Sequence, residues 1–154
     1  MTNISLEKDE QEQNMTLGKI KAEALKIMVA NAELDVSELD IASYKQNPAY
    51  ASYIFAMTGA INRAFDRLYI LGAVDEEILP VSVYTSETAD LSATRGVPNI
   101  LLRMIPLFVV GDVYATDEPN MAASCRNQFE ANVEEYIRMR KYAPQNSVEV
   151  VYEV

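Results

Sequence analysis

The chain has 154 residues, a formal charge of −10 from 23 acids against 13 bases, one cysteine and no histidine. Its length fits a single domain, and a 49% hydrophobic fraction can fill a core. The totals exclude a Ser-His-Asp or Cys-His catalytic set, a Cys/His zinc site and an intrachain disulfide, and they argue against binding by phosphate neutralisation.

Residues 1–15 are polar and acidic, with Glu7, Asp9, Glu10 and Glu12 against Lys8, and read as a solvated tail or an acidic arm. No apolar run of the secretory-leader kind is present there. Leu17–Asn31 is the first expected helix, with Thr16 as N-cap and Leu17, Ile20, Ala24 and Ile27/Met28 as its buried stripe. Lys19, Lys21, Glu23 and Lys26 fall mostly off that stripe. Asp35-Val-Ser-Glu38 has capping-box spacing and predicts a short helix to about Tyr44.

Ala49–Gly72 predicts the long central helix. Its apolar positions, Tyr50, Tyr53/Ile54, Met57, Ile61, Ala64/Phe65, Leu68 and Leu71, step by three and four. Pro48 suits its first turn and Gly72 its C-terminal cap. Another face carries Asn62, Arg63, Asp66 and Arg67. Such a rod is not stable alone, so other segments must pack along it.

Beyond Gly72 the pattern changes. Val81 and Val83 alternate with Ser82 and Tyr84, so Ile78–Thr85 reads as a short strand or extended segment. Ser86–Gly96 is small and rich in Ser and Thr. Long connections of this kind are either functional or tolerated insertions, and both readings stand. A short helix is expected over Ile100–Ile105. A second follows over Leu107–Ala115, so apolar all round that it must be buried in the core or against another subunit. A last helix is expected from Pro119 to about Tyr142, with Met121/Ala122, Cys125, Phe129, Val133, Tyr136/Ile137 and Arg140 as its stripe. Ala143–Ser147 should end it. Val148, Val150, Tyr152 and Val154 then alternate with Glu149, Val151 and Glu153 as a terminal strand, to pair at home or with a sheet edge on another chain.

The expected fold is therefore mainly α: a small helical bundle over 16–142 with a long central helix and an extended middle loop, a tail over 1–15, and a C-terminal β-strand arm over 143–154. Catalytic signatures are missing. The glycines are isolated, with no phosphate-binding loop. The adjacent acids Glu76/Glu77 and Glu134/Glu135 do not face each other on a helix. Cys125 lies on an apolar stripe, as a small hydrophobe does. Arg63 and Arg67 are four residues apart and read as an ion-paired face, or as a patch gripping a partner's carboxylates. No cofactor is expected.

The order of pieces carries a resemblance. INRAFDRLYILGAV lies at 61–74, Val-Tyr-Thr at 83–85, VPNILLRMIPLFVVGDVYATDEP at 97–119 and RNQFEANVEEYI at 126–137. Together, with Asn62-Arg63-Ala64 and the Gly111-Asp112, Tyr114, Asp117-Glu118-Pro119 patches, residues 17–142 resemble the head–tail connector, or adaptor, proteins of tailed bacteriophages. The resemblance implies a non-enzymatic virion protein of the neck, assembled in the host cytoplasm as a ring, expected twelvefold, beneath the portal protein. The ring would extend the DNA channel without binding DNA specifically and would dock the next neck or tail protein. It would touch no membrane. Under that reading Leu107, Phe108, Val110, Tyr114, Arg63 and Arg67 are candidates for the contact between protomers. Val148, Val150, Tyr152 and Val154 are candidates for an arm reaching the portal or a neighbour. Tyr84, Glu87, Asp90 and Arg95 are candidates for a docking or channel loop. The alternative is a small helical regulatory module that binds another protein, of the phage anti-repressor type. A carboxylate-based enzyme is a third, which needs two acids in one cleft.

Overall fold

A computed structural model describes the backbone of residues 14–28 and 48–153, and the side chains of these residues as far as Lys141, Ala49 excepted. The described part is mainly helical: α1 Leu17–Met28, α2 Pro48–Leu71, α3 Leu91–Arg95, α4 Asn99–Leu102, α5 Ile105–Val113 and α6 Pro119–Glu153. The expected helix after Asp35 lies outside the described residues, as do residues 1–13 of the expected tail.

Local chemistry sets the ends. Thr16 Oγ1 accepts from the Lys19 N–H at 3.1 Å and caps α1. Gly72, at φ 83°, ends α2: its N–H bonds the Tyr69 carbonyl at 3.1 Å, and the Ala73 N–H bonds that of Leu68 at 2.9 Å. An L-residue would be strained at that φ. Asp90 caps α3 through bonds to the Ser92 and Ala93 N–H groups. Pro106 sits in the first turn of α5, where the helix needs no N–H from it.

The apolar α5 is the centre of the bundle and packs on α1, α2 and α6. Ile105, Val109 and Val110 are fully enclosed, and Phe108 meets Phe129 of α6 edge-on with ring centroids 5.2 Å apart. Of the two readings for this segment, the core is what its own chain supplies. Gly111 allows α5 and α6 to approach closely: a Cβ there would lie 3.1 Å from the Ala122 carbonyl oxygen. The α2 stripe is buried as its spacing requires, with Met57, Ile61, Ala64 and Leu68 inaccessible to solvent.

Four expectations need correction. Ile78–Thr85 forms no strand; among the described residues the only β pairing is an isolated bridge between Thr16 and Asp90. The place of a partner strand is taken by the Asn62 carboxamide, which donates to the Val81 carbonyl at 2.8 Å and accepts its N–H at 2.9 Å. Lys21 is only 5% exposed because the 86–90 segment lies over it, where its Nζ meets Glu87 Oε1 at 3.2 Å. Met15, expected in the tail, is buried, with its carbonyl bonded to the Leu91 N–H. Finally, α6 runs past Pro144 to Glu153, so neither the break at 143–147 nor the strand over 148–154 is seen. Proline removes one intrahelical bond and favours a kink, but its φ remains compatible with a helix.

Candidate functional site

The two sequence patches noted above meet in space. Asn62-Arg63-Ala64 lies mid-way along α2, and the Gly111–Pro119 patch closes α5 and opens α6. Arg63 Nε lies 3.1 and 3.2 Å from the two Asp112 carboxylate oxygens and its Nη2 donates to Oδ2 at 2.5 Å, so two nitrogens grip one carboxylate. One turn on, Arg67 pairs with Glu130 of α6. Both carboxylates raise the guanidinium pKa of their partner, chiefly through hydrogen bonding. Tyr53 stacks edge-on against Tyr114, with centroids 5.2 Å apart, and donates its hydroxyl to Asp117. Arg126 donates to the Gly111 carbonyl at 2.7 Å, and Arg140 to Ala73 O and Asp75 at 2.7 Å each. These half-exposed pairs contribute at most about 1 kcal/mol each. Their work is orientation: they fix how α2, α5 and α6 sit on one another.

The Asp117 hydrogen bond, then burial and the carboxylate's charge, push the Tyr53 phenol up to about 12. A pKa raised on folding favours the neutral form, so this contribution to stability is complete below about pH 10 and lost as pH rises through about 12. In a spectrophotometric titration, Tyr53→Phe is expected to remove a late-ionising phenol; an unchanged high-pH limb would show that the bond to Asp117 is not made.

Arg63 and Arg67, candidates for the contact between protomers, are thus engaged within the chain, as the ion-paired reading had it. Val110 is fully enclosed and is no surface for a neighbour; Leu107, Phe108 and Tyr114 are partly buried against the core. Among the loop candidates, Glu87 binds Lys21, Asp90 caps α3, and Arg95 donates to the Pro80 carbonyl at 3.2 Å. Tyr84 alone stands out, 93% exposed. The Val148, Val150, Tyr152 and Val154 side chains lie outside the description.

The middle connection is a strap on α1. The Leu17 and Gly18 N–H groups, left over at the start of a helix, bond the carbonyls of Ala89 at 3.1 Å and Glu87 at 2.8 Å. What sequence reasoning missed is a set of exposed apolar side chains. Phe55 is 77% exposed, and Leu79, Val83 and Ile70 are also exposed. A signal existed: Phe55 and Ile70 fall off the three-and-four stripe of α2.

Two shallow grooves flank α1. One, of about 360 Å³, is lined by Lys21, Ala51, Ile54, Phe55, Thr58, Val83 and Glu87. The other, of about 330 Å³, lies among Met15, Lys19, Glu23, Ile27, Arg103, Pro106 and Leu107. Each contains a single carboxylate, paired with Lys21 in the first and with Lys26 in the second. Neither is the two-acid cleft that carboxylate catalysis needs. Burial raises the pKa of the Cys125 thiol, which disfavours the nucleophilic thiolate. No group of metal-ligating side chains occurs among the described residues, and no helix among them is long and apolar enough to cross a membrane.

No protein-family model, curated protein or solved structure matches the chain.

Proposed function

We propose that this chain is a structural connector of a tailed-phage virion. It forms a ring, expected twelvefold, beneath the portal; the ring extends the DNA channel and docks the next neck or tail protein. One observation carries the contact role: the helices are locked together internally while large apolar side chains, Phe55, Ile70, Leu79, Val83 and Tyr84, are turned to solvent. Phe55 and Val83 share one groove with Ala51 and Ile54, and adjoining apolar side chains of this kind suit contact with another protein. The phage assignment draws on the sequence resemblance, and two of its patches are joined by the Arg63–Asp112 pair. The charge of −10, repeated around a ring, would repel the phosphates of a passing duplex.

Electron microscopy of the purified chain, alone and with the portal protein of its own phage, tests the reading. Rings that decorate the portal are expected. A monomer that ignores the portal would contradict it and favour the regulatory-module alternative.

A further inference from the structure

Tyr53 and Tyr114 bring two phenols together where α5 gives way to α6. Tyr53 stands in the second turn of α2, and Tyr114 follows the last residue of α5. Both are half-buried against the core, with ring centroids 5.2 Å apart and planes at 84°. The hydrogen bond that Tyr53 donates to Asp117 lies at the surface.

This arrangement suits one reaction of phenols. Taking an electron from a neutral phenol makes it a very strong acid. The electron leaves readily only where a base accepts the proton in the same step. Tyr53 needs such a base, because its pKa is pushed up to about 12 and it stays neutral at ordinary pH. Asp117 already accepts that hydrogen bond and is within reach of the proton. The negative charges of Asp117 and Glu118 also favour removal of an electron beside them.

We propose that Tyr53 is a site of one-electron oxidation, with Asp117 as its proton acceptor, and that it couples to Tyr114 as an intrachain dityrosine. The co-reactant is a one-electron oxidant, two equivalents for each link. The first takes an electron from Tyr53 as the phenol proton passes to Asp117, which later releases it to water. The second takes an electron from Tyr114, whose proton goes to water. The two phenoxyl radicals pair through ring carbons ortho to the oxygens, and one C–C bond forms. The hydrogens on those carbons leave as protons while both oxygens take up protons, restoring the phenols. The net change is the loss of two electrons and two protons. The link staples α2 to the corner between α5 and α6. It goes beyond contact between copies and does not depend on it.

Exposure alone predicts a different outcome: Tyr84, 93% exposed, would react first and would join one chain to another. The test mixes heavy-isotope and ordinary full chains, oxidises them by illumination with ruthenium tris-bipyridine and persulfate, and maps the digest by mass spectrometry. A Tyr53–Tyr114 link is expected as the first product, with both halves from the same isotope pool. Tyr53→Phe and Tyr114→Phe should each abolish it. Asp117→Asn keeps an acceptor oxygen but is no base, and should slow the link by at least about tenfold, whereas Asp117→Glu should restore it. First reaction at Tyr84 without a Tyr53–Tyr114 link would overturn the proposal. So would a link that forms as fast in Asp117→Asn, or one that joins heavy to ordinary chains.

Discussion

Phe129→Ala is expected to lower the unfolding free energy by about 3–5 kcal/mol in urea denaturation followed by circular dichroism. Phe129 is fully enclosed, and its ring meets Phe108 edge-on at 5.2 Å. Truncation would open a cavity at the seam between α5 and α6, where Gly111 already holds the two backbones close. The surrounding helices are tied by the Arg63–Asp112 and Arg67–Glu130 pairs, so the seam can collapse only in part. A loss below about 1 kcal/mol would mean that α5 does not bury this face within its own chain. Its apolar surface would then belong to a neighbour.

Asn62→Ala is the second large effect, expected at about 2–4 kcal/mol. Val81 is buried, and both its N–H and its carbonyl are satisfied by the Asn62 carboxamide alone among the described residues. Removing that side chain strands a buried donor and a buried acceptor at once. Asn62→Asp should fall between Ala and the natural residue, because a carboxylate still accepts from the N–H but cannot donate to the carbonyl. Amide exchange over residues 82–85 should accelerate in both variants, since Val81 is one stem of the exposed turn. Exchange unchanged in Asn62→Ala would show that the turn is held by other means.

Helix periodicity made most of the bundle readable. The stripe of α2 and its Pro48 and Gly72 ends are as the residues require, and the all-apolar α5 segment becomes the central helix. The errors fall where one residue does an unusual job. Asn62 reads as part of a solvated face, because nothing local tells that an amide will stand in for a strand. Lys21 reads as off the buried stripe, because its partner is Glu87, 66 positions away. Ile78–Thr85 alternates like a strand, yet the chain offers it the Asn62 side chain in place of a ladder. The α6 boundary failed for a different reason: Pro144 argues for a stop, but the geometry it imposes on itself is still helical.

The site was legible in a similar, partial way. The Arg63/Arg67 spacing announced ion pairs, and these bind α5 and α6 of the same molecule. Tyr84 was visible as a loop residue, but Phe55 and Ile70 were hidden by the attention that an apolar stripe draws to its own members. Their exposure is a property of the packed bundle, since it depends on which flank of α2 the neighbouring helices leave uncovered.

The account's central claim is that this polypeptide works by contact between copies. Sedimentation velocity of the full-length protein over a wide concentration range tests it most directly. The account predicts a discrete closed oligomer at high concentration. A single monomer boundary at all concentrations would contradict it.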